Sequence, residues 1–233
     1  MLLIGHICKQ CTVTRTISLT TSFSSNMSQF FEIHPDNPQM RLIKQAVGII
    51  QQGGVIVYPT DSCYALGCHL GDKNAMERIA RIRRTGPKHN FTLVCRDLSD
   101  ISLYSRVDNS TYRMLKSLTP GPYTFILKAT NEVPRRLQNP KRKTIGLRVP
   151  DNAICQSLLS ELGEPMMSST LIMPEKELPE TDAEDIRELL EKHVDLIIDG
   201  GNCGFQPTSV IVFGENGKIE VSREGRGELD FLN

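Results

Sequence analysis

The sequence of 233 residues lacks tryptophan, and aromatic residues make up only 6% of it. Proteins usually hold single-stranded nucleic acid by stacking bases on aromatic side chains, so this composition argues against that mode of binding. No apolar run approaches the roughly 18 residues that a transmembrane helix needs. We therefore expect no membrane partner.

Several motifs of known chemistry are also missing. The chain has neither the GxxxxGK[ST] phosphate loop nor the GxGxxG dinucleotide fingerprint. It has no GxSxG elbow, which would carry a serine nucleophile, and no HExxH zinc motif. We predict that no residue acts as a covalent nucleophile and that the chain builds no metal site of its own.

The cysteines give no disulfide pattern. There are seven of them, an odd number, and they are widely scattered, which is typical of reduced thiols, so we predict a cytoplasmic protein. Cys8 and Cys11 have a CxxC spacing, but no second pair follows that would complete a zinc site.

The first 26 residues differ from the rest, because they hold no acidic residue, two bases and many serines and threonines. That composition suits a transit peptide, although two bases are few for one. We predict instead a dispensable extension over residues 1–26, either disordered or preceding a natural start at Met27. A single domain is then expected over residues 27–233.

The formal net charge is zero, but the charges are segregated along the chain. Residues 78–148 hold 16 Lys and Arg against 4 Asp and Glu, whereas residues 175–199 hold 3 bases against 10 acids. So basic a stretch is expected to bind an anion, such as a phosphate ester or a nucleic acid.

Short apolar runs alternate irregularly with helical periodicities, which predicts an open α/β sheet that includes antiparallel pairs. Residues 61–71, rich in small side chains, are predicted to be a loop. The predicted helices lie at 38–50, 73–84, 108–118, 153–162 and 181–193. The predicted strands lie at 55–58, 91–94, 123–127, 144–149, 165–170, 196–198, 209–213 and 218–221.

Hydroxyl residues follow or end three of these strands. Ligands of open α/β sheets bind beyond strand ends, so these groups are expected to line one crevice suited to a carboxylate or a phosphate. Turn and cap chemistry is the alternative explanation. The residues are Thr60 and Ser62, Ser168 to Thr170, and Thr208 with Ser209.

Five cations are candidates for binding such an anion. Arg148 stands out, because it sits in an apolar strand where a buried charge needs a partner. The arginines near the end of the second helix are equally consistent with a solvated helix face. The candidates are Arg83, Arg84, Lys88, Arg148 and Arg223.

A further basic segment, VPRRLQNPKRK, is expected either to contact phosphates or to be a solvated loop. Recognition of duplex or tRNA shape suits it better than stacking on single strands. Its cations are Arg135, Arg136, Lys141, Arg142 and Lys143.

Taken together, five ordered motifs resemble the YrdC-like family, and MSQFF at Met27 with EVPRRL at 132–137 resembles its YciO branch. The resemblance spans roughly residues 27 to 230. The motifs are GGVIVYPTDSCYALGC (53–68), TPGPYTFIL (119–127), TIGLRVPDNAI (144–154), PMMSST (165–170) and PTSVIV (207–212).

This resemblance implies a twisted open mixed α/β sheet with a large basic concave cavity. It also implies an ATP-dependent nucleotidyltransferase of the L-threonylcarbamoyladenylate synthase type. Such an enzyme takes ATP, L-threonine and bicarbonate as substrates, with Mg²⁺ accompanying ATP, and serves the threonylcarbamoyl modification of adenosine 37 in tRNA. Other members of the family bind double-stranded RNA.

By position, the resemblance implies roles for individual residues. Threonine would be held by Thr60, Ser62, Ser168 and Ser209. The nucleotide would be held by Arg83, Arg84, Lys88, Arg148, Thr170 and Arg223.

The chain departs from the synthases at two motifs. Where they carry KxR, this sequence has Arg83 and Thr85, and where they carry SxN it has Thr170 and Ile172. Replacing Arg by Thr removes a bidentate phosphate clamp, so we expect weakened synthase activity. A double-stranded RNA or tRNA-binding protein without synthase activity is the alternative, and a nucleotide sensor on the same fold is a third. The oligomeric state is left open.

Overall fold

The apolar runs of the sequence form the strands of one continuous sheet. The computed structural model describes residues 27–86, 90–214 and 218–232, apart from the side chains of Arg136 and Leu232. The ten strands of these residues are β1 (Gln29–Glu32), β2 (Ile56–Tyr58), β3 (Ala65–Cys68), β4 (Thr92–Val94), β5 (Tyr123–Lys128), β6 (Thr144–Arg148), β7 (Met166–Thr170), β8 (Leu196–Asp199), β9 (Ser209–Phe213) and β10 (Ile219–Arg223).

The strands lie in the order β1-β8-β2-β3-β7-β4-β6-β5-β9-β10. Four neighbouring pairs are parallel and five are antiparallel. The predicted open sheet with antiparallel pairs is therefore confirmed. Because the order is far from sequential, residues from distant parts of the chain become neighbours on it.

Six helices of the described residues cover the sheet unequally. Helices α2, α3, α4 and α6 pack on one face, through residues such as Ile79, Ile101, Leu115 and Ile186. On the other face α1 and α5 cover the half formed by β1, β8, β2, β3, part of β7 and the end of β4 at Val94. The helices are α1 (Met40–Gln51), α2 (Lys73–Ile82), α3 (Leu98–Tyr104), α4 (Asn109–Leu118), α5 (Ala153–Leu162) and α6 (Ala183–Leu190).

Three elements differ from the prediction. β3 lies within residues 61–71, which were expected to form a loop, and β1 and α3 were not expected at all. β3 carries no β-branched residue, and it forms a strand because it pairs on both sides, with β2 and β7. A side chain at Gly67 would collide with the ring of Tyr58, so the small residues that suggested a loop serve close packing instead.

None of the helices in the described part of the chain is both long and apolar enough to cross a bilayer. The predicted extension at residues 1–26 lies outside the described residues.

Candidate functional site

A cavity of about 430 Å³ lies on the half of the sheet that α1 and α5 leave uncovered. Side chains of a strand point alternately to its two faces, so every second residue of β4, β5, β6 and β9 faces this cavity. The other set of residues on the same strands packs in the core beneath α3 and α4. The floor comprises Thr92, Val94, Thr124, Ile126, Thr144, Gly146, Arg148, Val210 and Val212, with Ser168 and Thr170 of β7 beside them.

The lining is cationic. Among the described residues that line the cavity, four are arginines (Arg83, Arg142, Arg148 and Arg223) and none is acidic. Burial lowers the pKa of both Arg83 and Arg223, and a neighbouring arginine lowers each further. Charges crowded in this way favour a bound anion, because an anion relieves their mutual repulsion.

Arg148 lies at the deep end of the cavity and is only 6% exposed. Its Nη2 pairs with Asp61 and also donates to Ser62 Oγ at 3.0 Å and to Thr60 Oγ1 at 3.3 Å. The expectation that a buried charge in this strand needs a partner is therefore met by Asp61, which the sequence reasoning had not singled out. Its position between Thr60 and Ser62 was the available signal.

This buried pair retains unused hydrogen-bonding capacity. Arg148 Nε and Asp61 Oδ2 are both buried, and neither has a hydrogen-bond partner within the described structure. One group is a donor and the other an acceptor. They would suit a ligand or a water molecule that offers both functions.

Thr60 and Ser62 lie beneath the cavity and do not form its surface. Thr60 Oγ1 donates to the carbonyl oxygen of Cys63 at 2.6 Å and accepts from the backbone N–H groups of Ser62 and Cys63, each at 3.2 Å. This turn presents Cys63 to the cavity instead. The two hydroxyls are joined to the cavity through Arg148.

Ser168 and Thr170 line the cavity, as the resemblance implied. Ser168 Oγ is 2.7 Å from the hydroxyl of the fully buried Tyr58, which reaches it from β2. Burial raises the pKa of Tyr58, so its phenol stays protonated and able to donate.

Ser209 is placed differently from the expectation. Its hydroxyl donates to the carbonyl oxygen of Gly227 at 2.7 Å and accepts from the N–H of Gly225 at 2.9 Å, on the core side of β9. The preceding residue, Thr208, faces the cavity instead. Strand alternation explains the exchange, because adjacent residues point to opposite faces. Thr208 Oγ1 lies 2.8 Å from Thr124 Oγ1.

The two arginines that follow α2 have different surroundings. Arg83 enters the cavity, where its Nη1 donates to Ser169 Oγ at 2.8 Å and its Nε to the carbonyl oxygen of Ile172 at 3.3 Å. Arg84 is exposed outside this cavity and pairs with Glu175 at 3.1 Å. Lys88 lies outside the described residues, so its nucleotide-binding role stays a prediction.

The second basic segment turns out to be one wall of the same cavity. Leu137, the last residue of a short 3₁₀ turn at Arg135–Leu137, lines it together with Asn139 and Arg142. Arg135, Lys141 and Lys143 are exposed around that wall. The side chain of Arg136 falls outside the described residues. The segment was expected to be separate from the crevice, and the pairing of β6 with β5 brings it to the rim.

This arrangement can hold anions and orient them by hydroxyl groups. Neither a carboxylate nor an imidazole is among the described residues that line the cavity, so proton transfer by such a group is not offered there. Within the described residues, no three His, Cys, Asp or Glu side chains gather as metal ligands would. The geometry therefore suits chemistry that depends on positioning and electrostatics.

The known proteins of similar sequence include YciO proteins and threonylcarbamoyl-AMP synthases. The family model Sua5_yciO_yrdC, described as telomere recombination, matches residues 48–225. The Escherichia coli K12 protein YciO is 62% identical over 203 residues, which is 87% of this chain and 98% of YciO. The threonylcarbamoyl-AMP synthase of Neisseria gonorrhoeae is 30% identical over 171 residues, which is 72% of this chain and 89% of that enzyme.

Solved structures repeat this relationship. The crystal structure of E. coli YciO has a TM-score of 0.84 at 62% identity and covers 88% of this chain and 98% of its own. The structure of P. abyssi Sua5 complexed with L-threonine has a TM-score of 0.73 at 23% identity and covers 85% of this chain and 58% of its own. The likeness to P. abyssi Sua5 shows a common fold.

Proposed function

This chain belongs to the Sua5/YciO/YrdC family, and on that premise we propose that it is an ATP-dependent nucleotidyltransferase. The proposed reaction is that of an L-threonylcarbamoyladenylate synthase, which takes ATP, L-threonine and bicarbonate. The product would serve the threonylcarbamoyl modification of adenosine 37 in tRNA.

One observation carries this proposal. A single cavity collects Arg83, Arg148 and Arg223 from distant elements, together with the hydroxyls of Ser168 and Thr208. A triphosphate and a carboxylate repel each other, so a site that joins them needs several cations held by a rigid frame. The threonine-bound structure of P. abyssi Sua5 and the synthase names of relatives near 30% identity supply the substrates by analogy.

In the proposed reaction the amine of threonine and bicarbonate first give a carbamate and water. A carbamate oxygen then attacks the α-phosphorus of ATP. The new P–O bond forms as the bond from the α-phosphorus to the bridging oxygen breaks, and pyrophosphate leaves with the bonding electron pair. Arg83 and Arg223 would stabilise the charge on the phosphates.

Mg²⁺ is proposed to enter with the nucleotide as part of the substrate. The cavity lining offers it no carboxylate among the described residues, and Asp61 is already paired with Arg148. Mg²⁺ commonly binds through substrate phosphates with few protein ligands, and this fits the residues present.

We propose that turnover is slow. Ile172 lines the cavity where the synthases carry an asparagine, and Thr85, which is not among the lining residues, replaces a motif arginine. In the proposed reaction each change would remove a polar contact to the substrates. Losing one such contact costs on the order of 10²–10³ in rate.

The test is incubation of the full chain with ATP, threonine and bicarbonate under excess Mg²⁺, following pyrophosphate and the adenylate. We expect low but threonine-dependent turnover. Arg223→Gln should lower it by on the order of 10²-fold, and Arg113→Gln, an exposed arginine on α4, should leave it unchanged. No turnover above background in the unmodified chain would refute the synthase proposal.

A gain-of-function variant sharpens the test. Thr85→Arg combined with Ile172→Asn restores both motif side chains. We expect it to raise threonine-dependent pyrophosphate release by at least about tenfold, since each contact is worth more than that in such sites. An unchanged rate would show that these two positions do not limit the reaction.

A second candidate function rests on the exposed cations of the basic wall. Arg135, Lys141 and Lys143 surround Arg142 at the cavity rim, as a surface that binds duplex or tRNA phosphates would require. Lys141→Gln with Lys143→Gln should weaken binding of a double-stranded RNA and lower its salt slope by about 1 to 2. Lys116→Gln, at an exposed position on α4, is the control. Affinity that does not fall with salt would exclude this function.

A further inference from the structure

The last strand of the sheet contains a β-bulge at the edge of the cavity. β10 pairs antiparallel with β9, and Val221 lies opposite Ile211. The register then shifts by one residue, so Arg223 instead of Ser222 lies opposite Val210. Two residues of β10 thus oppose one residue of β9 at this point.

The bulge decides which way Arg223 points. In an uninterrupted β10, Arg223 would lie on the same face as Val221, which is the core side. The extra residue places Arg223 opposite Val210, a residue of the cavity floor. Ser222 and Arg223 both line the cavity. Bulges beside functional sites commonly redirect a side chain in this way.

Ser209 fastens the chain that follows the bulge. Ser209 is fully buried, and its hydroxyl joins the N–H of Gly225 and the carbonyl oxygen of Gly227 to the start of β9. A side chain at Gly225 would come within 2.7 Å of the carbonyl oxygen of Thr208, so this approach requires glycine. Among the described residues, β10 is an edge strand with β9 as its single strand neighbour. The hydrogen bonds of Ser209 therefore hold a segment that no second strand supports.

The same end of β9 holds the head of Arg223. Its Nε donates to the carbonyl oxygen of Thr208 at 2.9 Å, and its Nη2 donates to Thr208 Oγ1 at 3.1 Å. Ser209 therefore links the two backbone segments that determine where the guanidinium lies: Thr208, which binds it, and the chain that follows Arg223. Its own side chain points away from the cavity.

We propose that Ser209 is a positioning residue that holds the bulge and thereby aims Arg223 into the cavity. It does so without touching the ligand. The positioning is a property of the protein alone. Its consequence for ATP rests on the proposed function, in which Arg223 meets the phosphates.

The first test needs no ligand. In ¹⁵N-labelled full-length protein, the Nε–H signal of Arg223 is assigned by its loss in Arg223→Lys. Ser209→Ala should shift this signal towards that of free arginine and broaden it. Ser105→Ala should not, because Ser105 is a buried serine directly after α3 whose hydroxyl donates to the carbonyl oxygen of Ile101 in that helix, at 2.7 Å. An unmoved signal in Ser209→Ala, or an equal shift in Ser105→Ala, would overturn the proposal.

A second variant covers the event that Ser209→Ala does not fold. Gly225→Ala keeps the serine but pushes the chain that follows the bulge away from Thr208, so it should shift the Arg223 signal in the same direction. If it folds and leaves the signal in place, the chain that follows the bulge does not control Arg223.

The second test measures ATP affinity by calorimetry. Ser209→Ala and Arg223→Gln should each weaken ATP binding by about tenfold, the size of a lost charge-assisted hydrogen bond. The double variant should bind no more weakly than Arg223→Gln alone, because both act through one group. Additive losses would contradict positioning. Should the unmodified chain not bind ATP, the proposed function fails, while the arginine signal still decides the role of Ser209.

Discussion

One face of the sheet has two halves with the same backbone geometry. Helices α1 and α5 cover one half, and the cavity lies over the other. On the covered half, Ile56 and Leu196 are fully buried beneath α1 and α5. On the open half, the equivalent positions carry residues such as Thr92, Thr124 and Gly146, and they face the cavity. The boundary crosses β7, where Met166 belongs to the core and the following cavity-facing residues carry hydroxyls.

The comparison shows what makes the site. Both halves use the same two-residue alternation, so secondary structure alone does not distinguish them. The difference is that no helix of the described residues covers β6, β5, β9 and most of β4, which leaves a concave floor. Polar side chains are tolerated there because ligand or water can satisfy them.

The largest effect on stability is expected for the buried ion pair of Asp61 with Arg148. Asp61→Ala removes the partner of the buried Arg148 and should lower the free energy of unfolding by about 3–5 kcal/mol, because an uncompensated charge remains buried. Urea denaturation measures it. Glu175→Ala, which breaks the exposed pair with Arg84, is the control and should cost no more than about 1 kcal/mol. Equal losses would mean that Arg148 is hydrated through the cavity.

Truncation of apolar residues tests the covering helices directly. Leu158→Ala on α5, in the covered half, should cost about 2–5 kcal/mol of unfolding free energy, since it leaves a void in a closed core. Ile126→Ala on the open floor should cost clearly less, because Ile126 is already partly exposed and no core void forms. Both are measured by urea denaturation. Similar costs would show that the floor is packed like the core.

The stability of the protein at alkaline pH should depend differently on Cys155 in the covered half and on Cys63 in the open half. Burial raises the pKa of Cys155 on α5 to about 12, and burial raises that of the cavity thiol Cys63 as well, with Ser62 and Arg148 opposing the shift. A pKa raised on folding favours the protonated form, so its stabilisation is present below the unfolded pKa near 9 and is lost as pH rises through the folded value. Cys155→Ala should therefore make the fall in unfolding free energy above pH 9 shallower by about 1.4 kcal/mol per pH unit.

Cys63→Ala is the matched variant in the open half. It should flatten the same pH profile less, because the nearby guanidinium stabilises its thiolate. Urea titrations between about pH 8 and 11 compare the two. A larger change in the pH profile for Cys63→Ala than for Cys155→Ala would contradict the assignment of Cys155 to the covered half and Cys63 to the open half.

The smallest effect is expected from Tyr58→Phe on β2, whose hydroxyl reaches Ser168 at the boundary on β7. It removes the hydrogen bond to Ser168 and should cost about 0.5–1.5 kcal/mol of unfolding free energy, because the serine hydroxyl can turn to the cavity for a new partner. Equilibrium denaturation measures the loss. A cost of about 3 kcal/mol would indicate that Ser168 is sealed from water.

The sequence allowed the strong strands to be predicted, because β-branched runs such as Val55 to Tyr58 are typical of buried strands. It also allowed the inference that Arg148 needs a partner, since an arginine among apolar strand residues has few alternatives. Both inferences depend on local chemistry. The structure agrees with both.

Other features depend on which strands become neighbours. β3 was missed because its pairing partners, and not its own side chains, make it a strand. Which of Thr208 and Ser209 faces the cavity could not be assigned until the neighbours and register of β9 were known. The bulge that turns Arg223 is likewise a mismatch between two strands and has no signature in either alone.

The sequence by itself determined the composition of the site: cations concentrated in one stretch and hydroxyls placed at strand ends. Only the tertiary structure decided which of them meet, because strand order, register and the extent of helix cover are set by contacts between distant residues. Thus Asp61, Thr208 and Arg142 belong to the site or its support, whereas Ser209 and Arg84 lie outside the cavity. Charge and polarity are properties of single residues, but a cavity is a property of their arrangement.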